Sequence, residues 1–369
     1  MTNRKIHLRI PGPTPCPEDV LEAMTAQMIN HRGPAFKDIL ERVTARLKEF
    51  FQTENDLYVM TSSGTGAMEA SVVNTLSPGD RVLALTIGSF GQRYCQIAEA
   101  FGADVVKLEA PYGKAIDAHD VDKALSGDPS IKAVLVTHNE TSTGVTNPLR
   151  TIAEVTRSHD RLLLVDAISS IGSIDLPVDA WDCDVVSTAS QKGWMAPPGL
   201  SMISVSERAW EAWKSARMPR FHWDFGQLKS YFERGQTPWT PAISTFYALD
   251  AGLEAMAWEG LANIFERHAS VARRARDGAR ALGLSLLADE EVASNTVTAI
   301  NAPEGIDLAQ LLKIAREEYG VVLAGGPGPL AGKVFRIGHL GHVTEDDIDV
   351  VMDTLREVLQ RLGFRGPGR

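Results

Sequence analysis

Between Leu57 and Asp166 the chain alternates short apolar runs with amphipathic stretches, and nothing else in the sequence constrains the fold as strongly. The runs Leu57–Thr61, Arg81–Thr86, Asp104–Leu108, Ile131–Thr137 and Leu162–Asp166 are near-continuously apolar. Segments at helical spacing separate them: Gly66–Leu76, Phe90–Phe101, Asp117–Leu125 and Pro148–His159. Strands that are apolar throughout need cover on both faces. Strand–helix alternation of this kind predicts an α/β fold with a mostly parallel sheet clothed by helices.

The flanks read differently. Ile10-Pro11-Gly12-Pro13-Thr14-Pro15-Cys16-Pro17 is a proline-stiffened arm that suits neither helix nor central strand. Glu18 and Asp19 then open a short helix, and His31-Arg32-Gly33-Pro34 precedes an amphipathic one with Phe36, Leu40, Val43, Leu47 and Phe50 on one face. Arg217–Pro241 is rich in aromatics and breakers and reads as a long excursion at a site or interface. A helical region, Ala242–Leu282, follows it. Beyond that the rhythm becomes strand, strand, helix, strand, strand, helix: Leu284–Leu287, Asn295–Asn301, Leu308–Tyr319, Val321–Leu323, Val334–Ile337 and Glu345–Leu362. The expected organisation is an arm (1–20), a large domain (21–260) and a smaller C-terminal α+β domain (261–369).

Composition narrows the function classes. Net charge is −10 without a basic face, which argues against nucleic acid. Arg273-Arg274-Ala275-Arg276 reads as a solvated helix face. The three cysteines, Cys16, Cys95 and Cys183, form no CxxC, so neither a disulfide framework nor a zinc signature is expected. His339 and His342 read as loop residues, and no metal is expected. No apolar stretch resembles a signal peptide or a membrane span. A cytoplasmic protein is the expectation.

In open α/β sheets, ligands gather beyond the carboxyl ends of the strands. After the first strand stands Ser62-Ser63-Gly64-Thr65-Gly66, leading into a helix: a phosphate cradle of free N–H groups, or a plain Ser/Gly cap. After the second, Phe90 lies between glycines, as a stacker for a planar ligand or a core residue. After the fourth comes His138-Asn139-Glu140-Thr141-Ser142-Thr143-Gly144, in which Thr141 is a candidate ligand donor and His138 and Glu140 stay unassigned. Asp166 ends an apolar strand, where a carboxylate needs a partner. Finally Asp184–Ala189 delivers Ser190-Gln191-Lys192-Gly193, and Pro197-Pro198-Gly199 stops any helix from carrying the lysine away. A lysine there snorkels to water or, desolvated, becomes a neutral amine able to form a Schiff base. Phosphate cradle, flat aromatic, buried carboxylate and amine together are the set that pyridoxal 5′-phosphate requires.

These residues carry a resemblance. Pro11–Pro15, Ser63–Ala67, Thr137–Gly144, Val165–Ser170, Ser190–Gly193 with Pro197–Gly199, and Phe335-Arg336-Ile337-Gly338 resemble the class V, fold type I aminotransferases, most of all the serine/alanine–glyoxylate (serine–pyruvate) branch. The resemblance implies a large domain with a seven-stranded-type sheet. It implies Lys192 as the Schiff-base lysine and catalytic base, Asp166 on the pyridine nitrogen, Phe90 stacked on the ring and Ile168 on its far face. Thr141 would meet the ring hydroxyl region; Ser63, Gly64, Thr65 and Gln191 would hold the phosphate. Arg336 would clamp the substrate carboxylate, and Pro11-Gly12 would wall the substrate pocket. A threonine from the neighbouring subunit, Thr240 or Thr237, would complete the phosphate site, which makes a homodimer with composite active sites the expected unit. His31-Arg32 reads as a second carboxylate contact or a turn. The implied reaction is ping-pong transfer of an amino group from serine or alanine to glyoxylate or pyruvate. Without a second placed basic residue, aspartate and glutamate are disfavoured as donors. Aspartate–glyoxylate, aminoethylphosphonate and pyridoxamine transamination are alternatives. A desulfurase-type lyase is disfavoured because no cysteine follows Cys183.

Overall fold

The computed structural model of the chain describes residues 6–364. The readings made for Met1–Lys5, and the outer ends of the arm and of the small domain, lie outside those residues.

Seven strands form one sheet: β1 (Asp56–Ser62), β2 (Arg81–Thr86), β3 (Asp104–Glu109), β4 (Ile131–Thr137), β5 (Leu162–Asp166), β6 (Val185–Ala189) and β7 (Gly199–Val205). Their order across the sheet is β1–β7–β6–β5–β4–β2–β3. Only β7 runs antiparallel to its neighbours; the other pairs are parallel. The apolar runs have the cause inferred from them, since alternate residues of each strand enter different cores. Leu57, Leu83, Val134 and Leu163 pack with the helices Pro34–Phe51 and Ile243–Glu259. Tyr58, Val82, Ala133 and Leu164 pack with Gly64–Thr75 and Ser89–Ala100 on the opposite face. The large sheet with helices on both sides is the fold type I arrangement.

A third core belongs to the C-terminal part, where Val271, Ile300, Leu311, Phe335, Val351 and Leu355 pack together. Its antiparallel sheet has the order β8 (Val297–Asn301), β10 (Val334–Gly338), β9 (Ala324–Gly325). The helical region is two helices, Ile243–Glu259 and Leu261–Ala281, broken at Gly260, whose φ of 83° lies in the left-handed region. We propose this break as the domain boundary. The arm joins the two parts. His7–Leu8 pairs in parallel with Val321–Val322, and Thr14 N–H donates to the Gln191 carbonyl at 3.1 Å.

Three local expectations need correction. Leu284–Leu287 is not a strand; it contributes one bridge, Leu286 to Ile300. The excursion 217–241 contains a helix, Phe225–Phe232, capped by Asp224, whose carboxylate accepts from Gln227 N–H. The arginine cluster is split: Arg274 pairs with Asp349 at the surface, whereas Arg276 is buried and donates to the Ser294 carbonyl. Among the described residues, no helix is long and apolar enough to cross a membrane.

Candidate active site

The expected strand-end residues converge. Ser63, Gly64, Thr65, Phe90, Thr141, Asp166, Ile168, Gln191 and Lys192 line one cavity of about 230 Å³, together with Arg93, Asn139 and Ser169. They arrive from the ends of β1, β2, β4, β5 and β6, as a parallel sheet requires.

The lysine turn is fastened at several points. Ser190 Oγ donates to the Pro197 carbonyl at 2.6 Å and accepts from Leu200 N–H at 3.3 Å, closing the proline-rich loop onto β7. Trp194 is fully buried, stacks on Phe51 with centroids 5.8 Å apart, and donates to Thr188 Oγ1 at 3.1 Å. Thr14 Oγ1 of the arm donates to the Lys192 carbonyl at 3.0 Å. Lys192 Nζ in turn donates to the Pro11 carbonyl at 2.6 Å. Gly12, at φ +127°, lies so close that a Cβ there would sit 2.8 Å from Lys192 Cδ. The arm therefore packs against the lysine side chain. Burial pulls the Lys192 ammonium from 10.5 down to about 8; Asp166 opposes that shift, while Arg336 and Arg93 reinforce it.

Asp166 is buried, and burial pushes its carboxyl up to about 6. Its oxygens accept from Ile168 N–H at 3.0 Å and Thr137 Oγ1 at 3.1 Å. Glu140, unassigned from sequence, has a clear place. Fully buried, it accepts from Phe90 and Gly91 N–H at 2.8 and 3.1 Å and from Ser142 N–H and Oγ at 3.0 and 2.6 Å. It thus satisfies the start of the helix that carries Phe90. His138 points elsewhere: its ring meets Trp181 edge-on, and burial lowers its pKa to about 4.

Not all expected residues reach the cavity wall. Arg336 stands beside it, donating to the Gly325 carbonyl at 3.0 and 2.7 Å and to the Thr141 carbonyl at 3.0 Å. Thr237 is buried with its hydroxyl on the Trp239 carbonyl at 2.7 Å, whereas Thr240 is exposed. Arg32 donates to Gln236 Oε1 and to the Thr237 and Pro238 carbonyls. His339 is a buried residue bonded to Thr298 Oγ1 at 2.8 Å. Among the described residues, no group of three or more His, Cys, Asp or Glu is gathered as metal ligands. Sequence reasoning missed Arg93, Asn139 and Ser169. Arg93 stood three residues after Phe90 at helical spacing, which was signal enough to find it.

The lining suits pyridoxal 5′-phosphate. Ser63 caps the helix Gly64–Thr75 without a side-chain hydrogen bond, so backbone N–H groups at that N-terminus remain for an anion. A Cβ on Gly64 would lie 2.5 Å from Ile168 Cδ1, so a larger residue there would have to push the Ile168 side chain aside. Gln191 Oε1 is buried without a hydrogen-bond partner among the described residues and lines the same cavity as that helix start.

The family model described as "Aminotransferase class-V" matches residues 6–351. This chain is a class-V aminotransferase. Like its family, it uses pyridoxal 5′-phosphate. It is 42% identical over 98% of its length, and 94% of the relative's, to a protein of Synechococcus sp. named soluble hydrogenase, small subunit. It is 39% identical to the L-aspartate–glyoxylate aminotransferase of Paracoccus denitrificans, covering 91% of this chain and 86% of that one. It is 38% identical to the serine–glyoxylate aminotransferase of Methylorubrum extorquens, covering 92% and 87%. Among solved structures, the alanine–glyoxylate aminotransferase of Nostoc sp. superposes with a TM-score of 0.93 at 33% identity, covering 97% of this chain and 96% of that one.

Proposed function

We propose that this aminotransferase moves an amino group from a small L-amino acid, serine or alanine, to glyoxylate or pyruvate by a ping-pong mechanism. The observation that carries the reading is Lys192: a buried amine, its pKa lowered to about 8, in one cavity with Asp166 and a free helix N-terminus. The serine– and alanine–glyoxylate relatives support the donor and acceptor class. The Synechococcus name belongs to that protein; the cavity here offers an amine and a carboxylate.

When bound, the cofactor supplies an electron sink for charge developing at the substrate Cα. Ser63, Thr65 and Gln191 would hold its phosphate, and Phe90 and Ile168 would cover its two ring faces. Asp166 would keep the pyridine nitrogen protonated. Lys192 Nζ would take the proton from the substrate Cα as a base and return it as an acid. Arg336 retains two N–H groups for the substrate carboxylate, because three of its five already bind carbonyls. Homodimerisation, with Thr240 of each protomer completing the phosphate site of the other, belongs to the same proposal. So does a cytoplasmic setting, in keeping with three free cysteines.

The test is an absorbance scan of the holoenzyme with L-serine, L-alanine and L-aspartate added singly, without acceptor. Bleaching of the visible cofactor band by serine or alanine is expected. No change with any amino acid would refute amino transfer.

A further inference from the structure

One cation in the cavity has no task in the reaction so far described. Arg93 lies on the helix Ser89–Ala100, one turn after Phe90, and its Cζ stands 4.8 Å from the Phe90 ring centroid. Its side chain is exposed yet forms part of the wall that holds Asp166 and Lys192. Among the described residues it makes no hydrogen bond and no ion pair. Elsewhere in the structure buried or half-buried carboxylates hold arginines: Asp250 holds Arg42 and Arg46, Asp184 holds Arg208 and Glu259 holds Arg267. A guanidinium stacked on an aromatic face keeps its N–H edge available, and that edge matches a carboxylate in two-pronged geometry.

The other anions at the site are accounted for. The cofactor phosphate has the helix start at Ser63–Thr65. Glu140 already accepts four hydrogen bonds. A substrate α-carboxylate has Arg336. Arg93 is thus a second, unengaged guanidinium facing the cavity, and it removes the argument from sequence against acidic donors.

Building on the aminotransferase reading, we propose that Arg93 is a specificity-determining residue that binds the side-chain carboxylate of a dicarboxylic amino donor of aspartate's length. The donor range then extends beyond serine and alanine. The chemistry balances as amino-group exchange: L-aspartate leaves as oxaloacetate, and the amino group passes through the cofactor to glyoxylate, which leaves as glycine. No net oxidant is needed. The 39% identity to a relative named for aspartate–glyoxylate transfer is consistent with this but does not carry it.

The experiment uses the full-length holoenzyme and its Arg93→Gln and Arg93→Lys variants. Two readouts are taken: kcat/KM with aspartate and with alanine, and equilibrium binding of succinate and of propionate, which cannot react. Loss of a charge-assisted carboxylate contact predicts a fall of about 10- to 100-fold in the aspartate-to-alanine ratio in Arg93→Gln. Succinate affinity falls in parallel, propionate affinity changes much less, and Arg93→Lys lies between. An unchanged cofactor band shows that the variants fold and load. The proposal is overturned if both donors weaken equally, or if wild-type enzyme accepts alanine but neither turns over aspartate nor prefers succinate to propionate. In that last case the aminotransferase reading survives. If no amino acid bleaches the band, that reading fails, and the succinate preference still decides the role of Arg93.

Discussion

At the scale of single residues, the site depends on how burial sets two protonation states against each other. Lys192 gives the clearest consequence. Its amine is protonated below about 8 and neutral above, so the reactive form accumulates as pH rises. The rate at which the visible band appears after adding pyridoxal phosphate to the apoprotein should climb with pH and level off above about 8. Asp166 holds that pKa up. In Asp166→Asn the midpoint of the profile should therefore move to lower pH, and an upward shift would contradict the assigned interaction. Lys192→Ala should form no visible band, and turnover should fall by about 10³-fold or more, the scale of a lost general acid–base. Stopped assays on the reconstituted variant would read this, and near-normal turnover would remove Lys192 from its role. Gly12→Ala should disturb the same amine from the other side. The added methyl meets Lys192 Cδ at 2.8 Å while the backbone sits at φ +127°. A red- or blue-shifted cofactor band is the expected sign.

Elements show why some of the site was legible before the structure and some was not. The Ser-Gln-Lys turn could be read because proline, glycine and an apolar strand leave a lysine few places to go. The strand ends could be read because the apolar runs defined their direction. Glu140 could not. Its meaning lies in four hydrogen bonds to two segments, Phe90–Gly91 and Ser142, and no periodicity encodes a partner about 50 residues away. Arg276 was misplaced for the converse reason, since a helix pattern with charged neighbours looks solvated until the carbonyl of Ser294 closes over one of them. Thr237 and Thr240 were indistinguishable by alignment but differ in burial and in hydroxyl use. Glu140 yields the prediction proper to this scale. Glu140→Gln replaces two acceptor oxygens by one and places an amide N–H₂ against existing N–H donors. Leaving buried donors unsatisfied costs about 1–3 kcal/mol. Thermal unfolding of the apoprotein should drop by several degrees, and cofactor affinity should weaken because the helix bearing Phe90 loses its anchor. Unchanged stability with unchanged affinity would show the cap to be dispensable.

For the whole molecule, the excursion 217–241 is where one chain is least self-sufficient. Phe221 is 72% exposed although its ring lies tilted against Trp239, centroids 4.9 Å apart, and Trp239 stacks on His222 at 5.7 Å. Large aromatics clustered at a surface mark contact sites more often than solvent faces. Thr240 follows directly, exposed and with no place in its own chain's cavity. Arg32 buttresses the segment through Thr237 and Pro238, so Thr240 is presented from a held backbone. In the proposed homodimer, a second copy of the chain would cover the aromatics and receive the threonine. Sedimentation should then give a mass of twice 40.1 kDa. Phe221→Glu should shift the equilibrium toward monomer and weaken cofactor binding at the same time, because each site loses the neighbour's Thr240. Thr240→Ala should weaken cofactor binding by about 3- to 30-fold while leaving the dimer intact, the range expected for one hydrogen bond to a charged phosphate. The two variants separate the possibilities. If Phe221→Glu yields a monomer that still binds pyridoxal phosphate as wild type does, the sites are complete within one chain, and the composite arrangement falls even though the dimer stands.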